Sequence, residues 1–167
     1  MASKNLLIVY HSMTGGTRQM AQAAYAGACG VLETPLGVHL LRAEDAGPDD
    51  VLVADGYLFA TPENLAAISG RMKDFFDRCY YPVLGHIEGR PYAAMVCAGS
   101  DGTNAARQME RIATGWRLRA VAPPLIVCTH AQTPEAILAE KRLDAATLRP
   151  CAALGEALAT GMALGVF

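Results

Sequence analysis

The chain has 167 residues, of which 52% are hydrophobic and 18% are charged, and its formal net charge is −2. This composition argues against intrinsic disorder, and without a basic run the sequence gives no reason to expect a nucleic-acid partner. The longest apolar runs are too short to span a bilayer and no extended apolar region follows Lys4, so we expect no membrane partner and a cytoplasmic protein.

Apolar runs of strand length alternate with helical patterns along the chain. The runs predict five strands, at residues 6–10, 38–41, 56–60, 93–98 and 125–129. Apolar residues at helical spacing predict longer helices at 20–28, 72–79, 105–116 and 148–162, and shorter ones at 49–54 and after Thr133. Because a proline inside a helix disrupts it, Pro150 leaves the first residue of the last helix undecided. The alternation predicts an α/β fold in one domain, residues 1–167, with a doubly wound parallel sheet and helices on both faces.

The segment 12–17, with the sequence SMTGGT, is the most informative part of the chain because it leaves the first strand and opens a helix. Free backbone N–H groups and the positive end of the helix dipole make such a loop a binding site for phosphate. Gly15 and Gly16 allow close approach of the backbone, and three hydroxyl groups add neutral donors. Only Arg18 adds a charge nearby. The alternative interpretation is a plain left-handed turn followed by a threonine N-cap.

Other phosphate-handling loops do not match this sequence. It contains neither G-x-x-x-x-G-K-[ST] nor a G-x-G-x-x-G after the first strand, which excludes a P-loop and a dinucleotide fingerprint. No strand-exit loop carries a cysteine followed by five residues and an arginine, so a phosphatase nucleophile is not supported. The loop is therefore expected to hold a phosphate and not to cleave it.

The cysteines and histidines do not suggest a metal or redox site. Five single cysteines are dispersed along the chain, at positions 29, 79, 97, 128 and 151. An odd, scattered set without a C-x-x-C pair favours reduced thiols packed in the core. The histidines have no cysteine or carboxylate at ligand spacing, so no metal is expected.

Three loops are predicted at the carboxyl edge of the sheet, at 12–17, 61–69 and 99–103, and together they resemble the flavodoxin-like superfamily of FMN proteins. Residues 12–17 fit the [ST]-x-T-G-x-T phosphate loop of that superfamily completely. Residues 59–64 and 69–78 are similar to the flavin-ring loop and third helix of its NAD(P)H-dependent FMN and quinone reductases. Residues 98–103 match the third loop of these reductases in position and glycine content. The resemblance implies the strand order 2-1-3-4-5, with FMN at the switch between the first and third strands.

The resemblance also implies cofactor-binding residues. Those for the FMN phosphate are Ser12, Met13, Thr14, Gly15, Gly16 and Thr17. Those for the isoalloxazine ring are Thr61, Pro62, Glu63 and Asn64 on one side and Gly99, Ser100, Asp101 and Gly102 on the other. The amide of Asn64 either meets the edge of the ring or stabilises its own turn. Glu63 either disfavours the reduced, anionic ring or is a solvated loop carboxylate. We favour a structural, hydrogen-bonded role for His11.

Two departures from flavodoxin-type electron carriers favour a reductase. Neither 61–69 nor 99–103 contains an aromatic residue to cover the flavin, and the charges near the site are mixed in sign. We therefore predict an FMN-dependent oxidoreductase that takes hydride from NAD(P)H and reduces a quinone or another small acceptor, with no side chain assigned to catalysis. An electron carrier between proteins and a binding module without FMN are the alternatives. The resemblance further implies a homo-oligomer, a dimer or tetramer.

Overall fold

The computed structural model describes residues 3–31 and 36–167. Its strands are β1 Lys4–Tyr10, β2 Leu36–Arg42, β3 Gly56–Asn64, β4 Ala67–Ile68, β5 Pro91–Ala98, β6 Arg119–Ala120 and β7 Leu125–Cys128. Its helices are α1 Gly16–Cys29, α2 Pro48–Val53, α3 Gly70–Val83, α4 Thr103–Gly115, α5 Pro134–Leu138 and α6 Ala145–Ala163. Among these helices none is long and apolar enough to cross a membrane.

The sheet has the predicted order. Strand β1 pairs in parallel with β2 and β3, β3 pairs with β5, and β5 pairs in parallel with β7 and with the short β6. The five predicted strands therefore lie in the order 2-1-3-4-5, which confirms the flavodoxin-like doubly wound sheet. All eight residues of β5 are buried, as expected for a central parallel strand covered on both faces.

The two faces of the sheet carry separate cores because side chains alternate along each strand. On one face, Leu7, Val9, Tyr57 and Phe59 pack with α2, α3 and α4. On the other face, strand residues 6, 8, 58 and 60 pack with α1 and α6. The aromatic side chains gather in the first core, where the ring of Phe59 lies 5.1 Å from that of Phe76 and 6.2 Å from that of Trp116.

Helix α6 begins earlier than predicted, at Ala145. The carboxylate of Asp144 accepts a hydrogen bond of 2.8 Å from the N–H of Thr147 and caps the helix. Pro150 lies in the second turn, where it removes one backbone hydrogen bond without ending the helix.

The predicted loop at 61–69 is wrong at residues 61–64 and 67–68, which lie in strands. Strand β3 runs on to Asn64, turns through two residues and returns as β4, with Glu63 opposite Ile68. Leu65 and Ala66 make the turn with φ of 50° and 61°. Positive φ at both central residues is typical of a type I′ hairpin turn, and asparagine and glycine are the usual residues there. Leucine and alanine are not, so the sequence did not predict this hairpin.

Replacing Ala66 with glycine is expected to stabilise the protein by about 1 kcal/mol, because alanine is strained at positive φ and glycine is not. The change is measured as the free energy of unfolding in urea. Ala67→Gly, in β4, is the matched control and is expected to destabilise slightly, since glycine weakens a strand. A loss of stability in Ala66→Gly equal to that in the control would contradict the strain at this turn.

Candidate cofactor site at the carboxyl edge of the sheet

A cavity of about 720 Å³ opens where β1, β3 and β5 end. Ten of the fourteen predicted cofactor residues line it: Ser12, Met13, Thr14, Gly16, Thr17, Pro62, Glu63, Asn64, Gly99 and Ser100. The three loops leave parallel strands at the same edge, so the fold brings together residues that are far apart in the sequence.

The loop at 12–17 is built as a turn into α1. Gly15 has a φ of 94° and its N–H donates to the Ser12 hydroxyl at 3.0 Å, which leaves the hydrogen of that hydroxyl free to be donated. A Cβ on Gly16 would lie only 2.7 Å from the sulfur of Cys97 in β5, so any larger residue would require the Cys97 side chain to move. No acidic residue occupies the first turn of α1, which keeps the helix N-terminus suitable for an anion.

The hydroxyl of Thr17 points to a ligand in this loop. Thr17 is 2% exposed and lines the cavity, and its Oγ1 is the one buried side-chain oxygen or nitrogen without an oxygen or nitrogen partner in the ranges 3–31 and 36–167. The thiol of Cys97 lies near enough to interact with it, but a thiol is only a weak hydrogen-bond partner. Buried hydroxyls are nearly always paired, because an unpaired one loses its hydrogen bonds with water without replacement. A phosphate oxygen at this helix N-terminus would supply the missing acceptor, so the residues present fit the phosphate of FMN.

Gly15, predicted to bind the phosphate, and Thr61, predicted to contact the ring, do not line the cavity. Gly15 instead shapes the turn, and its carbonyl accepts from the side chain of Gln19 at 2.9 Å. Thr61 is fully buried. Its hydroxyl donates to the carbonyl of Pro62 and accepts from the N–H of Ser69 at 3.1 Å, so it joins β3 to the start of α3.

Asp101 and Gly102 also lie outside the cavity, and they form the cap of α4. The Asp101 carboxylate accepts from the hydroxyl of Thr103 at 2.8 Å. Gly102 has a φ of 83°, and its N–H donates to the Glu63 carboxylate at 2.7 Å. Glu63 is therefore neither a free carboxylate beside a ring nor simply solvated, because its carboxylate links segment 61–69 to segment 99–103.

His11 has the hydrogen-bonded role that the sequence favoured. Its Nδ1 lies 2.9 Å from the hydroxyl of Ser69, and the oxygen of this hydroxyl accepts from the N–H of Met72 and caps α3. Burial lowers the pKa of His11, and nearby Arg71 acts in the same direction against the opposing effect of Glu44. The neutral ring thus joins β1 to α3.

Nine further cavity residues were not predicted. They are Leu65, Cys97, Ala98, Thr129, Ala131, Gln132, Ile137, Leu138 and Lys141. Six of them belong to the segment after β7, which folds back across the 12–17 loop. The backbone N–H of Lys141 donates to the carbonyl of Thr14 at 2.8 Å. Nothing in the local sequence pattern shows that a segment about 125 residues away returns to this loop.

The prediction that only Arg18 adds a charge to the phosphate loop is wrong. Arg18 does not line the cavity, whereas Lys141 does, with its Nζ 3.3 Å from the hydroxyl of Thr14. Cys97 contributes a neutral wall, because burial raises the pKa of its thiol. The lining also includes the aliphatic residues Leu65, Ile137 and Leu138, and the carbonyl of Ile137 accepts from the Nζ of Lys141 at 2.8 Å.

Known proteins share this architecture. The chain is 34% identical to a flavodoxin from Aquifex aeolicus over 58% of this chain and 51% of that protein. It is also 34% identical to an NAD(P)H dehydrogenase (quinone) from Acidithiobacillus ferrooxidans over 44% of this chain and 46% of that protein. The chain thus spans about half the length of the curated relatives it matches.

Among solved structures, the crystal structure of a flavodoxin, WrbA-like protein from Agrobacterium tumefaciens has the same fold. Its TM-score is 0.72 at 20% identity, and the match covers 95% of this chain and 96% of that one. A sequence model of the NADPH-dependent FMN reductase family matches residues 48–133, which include the second and third loops but not the phosphate loop. FMN is the flavin of this family and NADPH its co-substrate. The chain belongs to the NADPH-dependent FMN reductase family.

Proposed function

We propose that this protein is an FMN-dependent oxidoreductase that takes hydride from NAD(P)H and reduces a quinone or another small acceptor, with residues 1–167 as one FMN-binding domain. The observation that carries the proposal is the buried hydroxyl of Thr17, without a hydrogen-bond partner in the described residues, beside a 720 Å³ cavity whose lining includes exposed aliphatic side chains. A cavity of this volume is within the range of small-molecule sites. When bound, FMN supplies the hydride chemistry, and the protein supplies binding and orientation.

In this proposal the chain holds the two ends of the cofactor differently. The backbone amides of the 12–17 loop, with the hydroxyls of Ser12, Thr14 and Thr17, bind the phosphate. Pro62 and Asn64 line one side of the ring and Gly99 and Ser100 the other. Because the Glu63 carboxylate links the second loop to the N-cap of α4, the two sides are held at a set separation before the cofactor arrives.

Exposed apolar residues at the rim of the cavity support a second small molecule next to the flavin. Leu65 is fully exposed, and Met13 and Leu138 are 61% and 69% exposed, so the apolar residues at the rim are accessible from solvent. No aromatic side chain is among the residues that line the cavity. An aliphatic, uncovered rim suits a nicotinamide or quinone ring, which needs contact with one face of the flavin.

We expect purified protein loaded with FMN to oxidise NADPH or NADH in the presence of a benzoquinone, and to stop when the flavin is removed. Turnover is followed as the loss of nucleotide absorbance without oxygen. The flavodoxin-like relative makes an electron carrier the second candidate. Bound FMN without turnover by either nucleotide would favour that carrier.

A tryptophan at Leu65 tests whether the uncovered rim is used. Leu65→Trp is expected to lower turnover about tenfold, since the larger ring fills space needed by the second molecule, while FMN stays bound. Leu84→Trp is the matched control, because Leu84 is 43% exposed and does not line the cavity. Equal turnover by the two variants would count against the rim as the acceptor site.

A further inference from the structure

One cationic side chain lines the cavity, and it lies at the phosphate end. Of the lining residues only Lys141 and Glu63 are charged, and the Glu63 carboxylate is already bonded to the N–H of Gly102. The Nζ of Lys141 lies 3.3 Å from the hydroxyl of Thr14, in the loop that also carries the unpaired hydroxyl of Thr17. The charge is therefore placed where a phosphate would need it.

The position of Lys141 is set by contacts with the phosphate loop itself. The Gln19 side chain donates to the carbonyl of Gly15 at 2.9 Å and to that of Lys141 at 2.7 Å, and its oxygen accepts from the N–H of Leu143 at 3.0 Å. Together with the backbone bond from Lys141 to Thr14, these contacts fasten the segment 141–143 to the loop. A Cβ on Gly16 would lie 3.6 Å from the Lys141 stem, so the stem also passes close to the loop.

The ammonium group has neutral partners that an anion can replace. Its Nζ donates to the carbonyls of Ala136, Ile137 and Ala139, at 2.7 to 2.9 Å, and the contact with Thr14 is the longest of the four. An ammonium has three hydrogens, so these four contacts cannot all be full hydrogen bonds. A phosphate group offers charged oxygens, which form stronger hydrogen bonds with an ammonium than carbonyls do.

We propose that Lys141 binds the phosphate of FMN and gives the protein much of its preference for FMN over riboflavin. This inference rests on the proposed function, since it concerns the same site. Lys141 acts as a binding residue supplied by the segment after β7, opposite the hydroxyls and amides of the 12–17 loop. Riboflavin has the same ring without the phosphate, so it lacks the group that this charge would bind.

The test compares the two flavins in binding titrations that follow the quenching of flavin fluorescence by protein freed of cofactor. Lys141→Met keeps the length of the stem and removes the charge. We expect the dissociation constant of this variant for FMN to rise about tenfold, which corresponds to the loss of one charged hydrogen bond. Its dissociation constant for riboflavin should stay within about twofold of that of the unaltered protein. The salt dependence of FMN binding should also decrease. Lys73→Met, at an exposed Lys73–Asp77 pair on α3, should leave both constants unchanged.

Two results would overturn the inference while leaving the proposed function in place. Unchanged FMN binding by Lys141→Met shows that the charge is not used, and an equal loss for both flavins shows that Lys141 only holds its segment in place. Lys141→Arg keeps the charge and should retain a preference for FMN even if Lys141→Met loosens the segment. Failure of the unaltered protein to bind either flavin would instead overturn the proposed function, and the inference with it.

Discussion

Replacing Gly155 with alanine is expected to lower the free energy of unfolding by about 3 kcal/mol, at the upper end of what overpacking a core usually costs. Gly155 lies in α6 where this helix crosses α1. A methyl group there would overlap the carbonyl of Ala24, and one at Gly27 in α1 would overlap the carbonyl of Ala152. Because backbone atoms cannot rotate aside as side chains do, one helix would have to move, and the core between this helix pair and the sheet would open.

The effect is measured by urea and thermal unfolding, with a fall in Tm of roughly 6–12 °C for a domain of this size. Gly115→Ala in α4 is the control, since a Cβ at this glycine meets nothing within 4 Å. Alanine is the better helix former, so this variant is expected to be slightly stabilised. If Gly155→Ala unfolded like the unaltered protein, the close crossing of α1 and α6 would be disproved.

Replacing Thr17 with valine is expected to weaken FMN binding by about tenfold to a hundredfold and to stabilise the cofactor-free protein by about 1 kcal/mol. The two effects have one cause. The Thr17 hydroxyl is buried without a partner, so its removal relieves a desolvation cost in the absence of ligand. It also removes a donor to the phosphate when FMN binds. A residue that destabilises the empty protein but strengthens binding is typical of a functional site.

The measurements are the dissociation constants for FMN and riboflavin and the unfolding free energy without flavin. Riboflavin binding should change little, because the ring does not reach the hydroxyl in the proposed arrangement. Thr114→Val is the control, since the Thr114 hydroxyl donates to the carbonyl of Glu110 on an exposed part of α4. Unchanged FMN affinity in Thr17→Val would remove the support for a phosphate in this loop.

The parts of the fold predicted from the sequence are those with a strong local signal. Buried parallel strands require continuous apolar runs such as 93–98, and the helices between them require apolar residues at helical spacing. The hairpin after β3 was missed because Leu65 and Ala66 make its turn without turn-forming chemistry. Contacts with α4 stabilise that turn instead. The side chain of Asn104 donates to the carbonyl of Ala66, and the side-chain oxygen of Gln108 accepts from the N–H of Ile68.

The residues of the site also differ in whether a local sequence pattern predicts them. The sequence by itself predicted the 12–17 loop as a phosphate site, because glycines and hydroxyls suited to a phosphate lie within six consecutive residues. Only the tertiary structure decided that Lys141 joins this loop and that Glu63 bonds to Gly102, the N-cap residue of α4. Both contacts depend on where distant segments pass after leaving the sheet, and side-chain packing decides those paths. A local pattern depends on the conformation of its own residues, whereas the charge that we propose for the phosphate comes from a contact between residues 127 positions apart.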